Sequence, residues 1–227
     1  MQWRLGRGSW FFMVDLIKQA SRGIQLAAAM GAVLLLSGGC SGKGDAEGLT
    51  GMEKERVREL AQPVAGELVK TLEGRLKTAM KSGGPPAAIR VCAEEAQPLT
   101  RAVEREAAIA YLKRVGVRIR NQENAPDQWE AAALDFFTRG GTTTGGYPAD
   151  YVQEVTGPDG SRQIRYYKAI PTQARCLLCH GSADNIPASV RSVLDAQYPE
   201  DRARGFTKGD LRGLLVVGLD PEKLAKE

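Results

Sequence analysis

Tyr151-Val152-Gln153-Glu154-Val155-Thr156-Gly157-Pro158-Asp159-Gly160-Ser161-Arg162-Gln163-Ile164-Arg165-Tyr166-Tyr167-Lys168 is two β-prone runs on either side of a turn. Branched and aromatic residues fit a pleated, half-buried surface, and the Gly-Pro-Asp-Gly between them supplies one preset φ and two residues free to turn. The stretch predicts a β-hairpin over Tyr151–Thr156 and Arg162–Lys168. Leu211–Leu219, introduced by Gly209-Asp210, reads as a last strand, and the alternation in Val115-Gly116-Val117-Arg118-Ile119-Arg120 reads as a half-buried one.

Eight residues beyond the hairpin stands Cys176-Leu177-Leu178-Cys179-His180, in what reads as a loop. Two thiols three positions apart, followed at once by an imidazole, form the attachment signature of a c-type haem: each thiol can add to one vinyl group while His180 turns onto the iron. The competing readings are a redox Cys-x-x-Cys pair, half a zinc site and an accidental disulfide. Zinc commonly takes four Cys or His ligands, and beyond Cys40 the chain has one further thiol, Cys92, and no further imidazole. A thioredoxin-like motif would follow a strand and open a helix in a βαβ unit, which the flanking residues do not suggest. The spacing therefore predicts one covalent haem.

His180 is the only histidine in 227 residues. A second histidine ligand from the same chain is thus excluded, and the sixth position falls to Met, Cys, a weaker side chain, water or nothing. No distal imidazole remains for acid–base chemistry, which argues against an enzyme.

The helices lie upstream. From Met52, Val57, Leu60, Val64, Leu68, Leu72 and Leu76 make one apolar stripe, with a kink expected at Pro63. Ser82-Gly83-Gly84-Pro85-Pro86 ends that helix and opens another. On the second, Ile89, Cys92, Ala96 and Leu99 share a face, so Cys92 is either a small core residue or, beside a haem, a thiolate for the iron. Asn121–Pro126 reads as a loop, Asp127–Phe137 as a short helix packing through Trp129, Ala132, Ala133, Phe136 and Phe137, and Gly140–Pro148 as a glycine-rich connection.

The N-terminus is laid out for export: Arg4, Arg7, Lys18 and Arg22, then the apolar run Leu26–Leu36, then Ser37-Gly38-Gly39 before Cys40. The run is short for a membrane span. Small residues leading to a cysteine resemble a bacterial lipoprotein signal with Cys40 as the lipidated residue, although Leu36 stands four rather than three positions before it; ordinary cleavage or a retained anchor are the alternatives. Met13 is an alternative start that would leave a more ordinary leader. The division expected is a signal over 1–39, a polar tether over 40–50 and one domain over 51–227, on the outer, periplasmic side of a bacterial membrane.

The formal charge of +4 is no pointer to nucleic acid. Four of the 31 cations and one of the 27 anions lie in residues 1–39, so the rest carries 27 against 26. The four cysteines form no disulfide framework.

Five blocks together resemble a family of exported, single-haem c-type domains with a PAS-like fold, ligated by His on one face and Cys on the other. They are Ala87–Cys92, Arg118–Glu130, Tyr166–Ile170, Cys176–Gly181, and Tyr198–Asp201 with Gly205 and Gly209–Gly213, within roughly Met52–Pro221. The resemblance implies an α+β fold in which helices pack on an antiparallel PAS-like sheet, in agreement with the hairpin and last strand. It implies that Cys176 and Cys179 anchor the haem, His180 is the proximal ligand and Cys92 the distal one. Arg118 and Arg120 fall in its basic block and suit haem propionates, or else are solvated strand-end charges. Relatives carry such a domain as the sensing part of receptors, so a redox- or gas-responsive sensor acting on a receptor or redox partner is one function implied. A low-potential electron-transfer cytochrome is the other.

Overall fold

The computed structural model describes residues 48–140, 146–157 and 159–224. The leader, Cys40 and most of the tether lie outside the described residues. Among those described, no helix is long and apolar enough to cross a membrane.

Helix α1 spans Gly51–Arg90 and starts in a capping box. Thr50 Oγ1 accepts from the Glu53 amide at 3.2 Å while the Glu53 carboxylate accepts from the Thr50 amide at 2.8 Å, which satisfies two of the amides a helix start leaves without partners. Pro63 is carried without departure from helical dihedrals; the break comes instead at Gly83 and Gly84. Gly84 has φ +65° and ψ −161°, a conformation open essentially to glycine alone, so this is where the chain turns. The buried face of α1 centres on Val57, Ala61, Ala65 and Leu68, with Leu60, Val64 and Leu72 at its margins. Small alanines let the helix approach the sheet closely.

After the break, α1 continues to Arg90, passes through one wide π-turn over Val91–Glu95 and resumes as α2, Ala96–Glu106. The sheet has four antiparallel strands in the order β1-β4-β3-β2: β1 is Tyr111–Gly116, β2 Tyr151–Thr156, β3 Arg162–Pro171 and β4 Leu211–Leu219. The fold is α+β, and the hairpin and last strand stand as the sequence suggested.

The first strand corrects the expectation. It lies over Tyr111–Gly116 rather than Val115–Arg120, because Lys113 and Arg114 hid the pattern: Lys113 Nζ is bound at 2.8 Å to the fully buried Glu130 carboxylate. Val117 is 44% exposed and the ladder ends beside it, which frees Arg118–Arg120 to turn away from the sheet.

One sheet face packs on α1 and α2 through Leu112, Val152, Ile164, Tyr166, Leu215 and Val217. The other packs on α3, Gln128–Gly140, through Val115, Tyr167, Leu214 and Val216 against Ala133 and Phe137. Of the residues expected to pack from α3, Ala132 and Phe136 are exposed and Trp129 is partly so. Two short helices, α4 at Leu177–His180 and α5 at Ala188–Gln197, lie between β3 and β4 in sequence.

Candidate functional site

Cys176–His180 is helical rather than loop: a 3₁₀ turn over Ala174–Cys176 runs into α4. The end of β3 is held by mutual backbone bonds, Thr172 donating to Asp210 and Gly209 to Thr172 at 2.8 Å each, and the turn begins two residues later. The Gln173 amide donates to Cys176 Sγ at 3.4 Å. At the other end, the Gly181 amide closes the helix on the Leu177 carbonyl at 2.8 Å, where a Cβ on residue 181 would stand 2.6 Å from that oxygen. Only glycine fits directly after the motif. The helical turn places Cys176 and His180 four positions apart, on one face.

The His180 ring is fixed by its neighbours. Nδ1 lies 2.7 Å from the Ala203 carbonyl, which can only accept, so the proton sits on Nδ1 and Nε2 keeps its lone pair. The backbone on either side is clamped as well: Phe206 donates to the His180 carbonyl at 2.9 Å and Gly205 to that of Gly181 at 2.7 Å. Burial, with the Arg212 and Arg120 charges behind it, pushes the imidazole down to about 3. His180 is therefore a neutral nitrogen donor across the physiological range.

Arg120 organises this turn. Its Nε and Nη2 hold the Asp201 carboxylate at 3.0 Å each, and Nη2 also reaches the carbonyls of Cys179 at 2.6 Å and Ala203 at 3.3 Å. Asp201 in turn takes Arg204 Nε at 2.8 Å and the Ala203 amide at 2.9 Å. Arg118 bonds the Arg204 carbonyl and lies with its guanidinium 3.9 Å from the Phe206 ring centre. Phe206 meets the His180 ring edge-on at 6.2 Å.

Cys92 lies on the π-turn, a helical irregularity that recurs at functional positions because it displaces one residue from the regular face. It is brought to the motif: Ile89 and Ala93, on either side of it, pack in the cluster that includes Cys179, Ile186, Val190, Leu194 and Tyr198. Cys92, Cys176 and Cys179 are free thiols, and all three are partly exposed, as is His180. Burial pushes the Cys92 thiol up, opposed by the positive charges of Arg114, Arg120 and Arg212. Burial raises Cys179 too, and charge on Cys92 and Cys176 adds to it. The structure thus gathers Cys92, Cys176, Cys179, His180, Arg118 and Arg120 into one region; Cys40 lies outside the described residues.

Four contributors were not singled out in the sequence: Asp201, Phe206, Arg114 and Arg212. Asp201 and Arg212 stand in blocks that carried the resemblance, whereas Arg114 and Phe206 gave no local signal. Among the described residues no group of three or more His, Cys, Asp or Glu side chains is arranged to hold a metal ion.

A family model described as Tll0287-like matches residues 48–219. Among solved structures, that of the cyanobacterial haem protein Tll0287 is similar, with a TM-score of 0.50 and 23% identity over 76% of this chain and 98% of that one. At such identity the likeness speaks for the fold. No curated protein matches the sequence.

Proposed function

We propose that this chain, which belongs to the Tll0287-like family, binds one haem covalently and uses it as a redox- or gas-responsive sensor. The observation that carries the reading is His180: a neutral imidazole, clamped through Nδ1 to Ala203, with Nε2 free, directly after two free thiols at haem-attachment spacing. In this reading Cys176 and Cys179 form the two thioether links, His180 is the proximal ligand and Cys92 the distal one, and the antiparallel sheet with its helices is the PAS-like frame. The surrounding arginines suit a group that carries two carboxylates. Haem would supply a ferric–ferrous couple and an axial position for a diatomic ligand.

The chain's own contribution is to choose the ligands and to let one of them leave. Burial raises the Cys92 thiol and the Arg114, Arg120 and Arg212 charges oppose it, so the residue would be available to hold a bound ferric haem as thiolate without being locked in that form. A low-potential electron carrier is the second reading, favoured by the partial exposure of Cys176 and Cys179, which would bring the haem edge to the surface. Neither reading needs an enzyme's distal acid or base. Cys40 as a lipidated residue would hold the domain at the outer, periplasmic side of a bacterial membrane, two acyl chains each burying methylenes at about 0.8 kcal/mol apiece.

The test is the mass and spectrum of the chain made in cells that mature c-type cytochromes. Denatured protein that carries the mass of one haem, lost in Cys176→Ala/Cys179→Ala, bears out the attachment; an unmodified mass overturns it. A ferric thiolate spectrum that becomes CO-binding on reduction bears out sensing, while six-coordination unchanged in both states gives the electron carrier. Cys40→Ser should release the domain from the membrane fraction or stall its processing.

A further inference from the structure

Among the described residues, Arg114 on β1 and Arg212, at the start of β4 just beyond the Gly116–Gly213 pair, are guanidiniums on adjacent strands with no carboxylate partner. Their Nε atoms are buried and unbonded, and among the described residues neither guanidinium lies within 4.0 Å of a carboxylate. Arg212 spends one donor on the Arg118 carbonyl at 3.3 Å and lies 5.2 Å from the Phe206 ring centre. Burial, followed by the charge of Arg120, lowers Arg212 to about 10, and Arg114 is lowered chiefly by burial. Two like charges in this state raise the energy of the fold unless an anion joins them.

The backbone makes room for the Arg212 guanidinium beside Arg114. Gly116 and Gly213 are register partners at this end of the β1–β4 ladder, and Arg114 shares the face of β1 to which Gly116 belongs. A Cβ on residue 116 would stand 3.4 Å from Arg212 Nη1, so the guanidinium lies over the glycine. Arg120 and Arg118, by contrast, are already engaged, the one with Asp201 and the Cys179 carbonyl, the other with the Arg204 carbonyl and Phe206.

Resting on the haem reading above, we propose that Arg114 and Arg212 hold the two haem carboxylates, and that Arg118 and Arg120 shape the turn around His180. The guanidinium fork matches a carboxylate, and a charge-assisted bond formed away from water is worth about tenfold or more in affinity. The same carboxylates complete the charge balance of the fold, so haem uptake and stability are linked through these two residues.

The chain made without haem is titrated with ferric protohaem and with its dimethyl ester, in which both carboxylates are neutral, and followed by absorbance. Wild type should bind the ester at least about tenfold more weakly. Arg114→Gln and Arg212→Gln should each weaken protohaem by about tenfold and leave the ester unchanged. The same substitutions should raise the Tm of the haem-free chain and lower that of the haem-loaded chain, a reversal that a purely structural role would not give. Equal affinity of wild type for the two ligands overturns the assignment without any variant; so does a variant that loses both ligands alike. Wild type that takes up neither ligand overturns the haem reading itself, and this inference with it.

Discussion

Arg120 and Asp201, 81 residues apart, meet as a buried two-pronged ion pair, with both bonds at 3.0 Å and side chains 9% and 1% exposed. The pair reaches His180 from both sides. Arg120 Nη2 bonds the Cys179 carbonyl, and Asp201 Oδ1 accepts from the amide of Ala203, whose carbonyl accepts from His180 Nδ1. Asp201→Asn leaves two guanidiniums, those of Arg120 and Arg204, without their shared anion. We expect a loss of about 3 kcal/mol in denaturant unfolding, since removal of one partner from a buried pair costs the desolvation of the other.

The same pair sets an acid limit. Burial raises the Asp201 carboxyl, but the bonds from Arg120 and Arg204 outweigh it and hold the group below its ordinary 3.8. A depressed folded value means stability that is present above about pH 4 and lost as pH falls through the folded pKa, because between the ordinary and the folded value the unfolded chain binds more protons than the folded one. Unfolding free energy should therefore fall with pH below about 4 in wild type. In Asp201→Asn that part of the slope should vanish; an identical slope in the variant would show that the carboxylate does not titrate as the geometry requires.

His180 gives a second, separate window in the haem-free chain. Its folded value of about 3 lies below the ordinary 6.5, so between these limits the unfolded chain takes up the proton and stability falls as pH falls. Because the chain has one histidine, one set of imidazole resonances reports it without assignment. Those resonances should not move between pH 8 and about 4 in the folded, haem-free chain. A midpoint near 6.5 would mean that the ring is neither buried nor held by Ala203.

The strand ladder offers a test free of any cofactor. A Cβ at residue 213 would stand 1.9 Å from the Val115 carbonyl oxygen, so Gly213→Ala should cost about 3 kcal/mol or more by forcing β1 and β4 apart. Gly66, exposed on α1 with nothing within 4 Å of its would-be Cβ, is the control. Gly66→Ala should gain about 0.5–1 kcal/mol by reducing the freedom of the unfolded chain. Both read out as midpoint shifts in urea.

What the sequence disclosed and what it hid divide along physical lines. The hairpin, the last strand and the haem-type motif were legible because each is a local pattern: alternation, turn residues, a fixed thiol spacing. β1 was misplaced because its charged residues are internal; Lys113 is paired to buried Glu130, and no periodicity announces a salt bridge to another element. The break at Gly83–Gly84 was legible from its residues, whereas the π-turn at Cys92 follows from how α1 and α2 pack and has no signature of its own. Arg114 and Arg212 were missed for the same reason: only the pairing of β1 with β4, which ends at Gly116 and Gly213, brings together strands whose arginines are 98 positions apart in sequence.

Cys92 is the expected sixth ligand of ferric haem, and the structure narrows its competitors. Met52 is 85% exposed at the start of α1 and Met80 39% exposed on the same helix, while Cys92 stands in the chain between Ile89 and Ala93, which share an apolar cluster with Cys179. Three arginines favour its thiolate against the burial that opposes it. Cys92→Ala should leave covalent haem in place but convert the ferric centre to a five-coordinate or water-ligated high-spin form that binds external ligands without a prior reduction step. Met80→Ala should leave the spectrum as it is. An unaltered ferric spectrum in the Cys92 variant would take the thiolate out of the mechanism, and a change in the Met80 variant would put the thioether in its place.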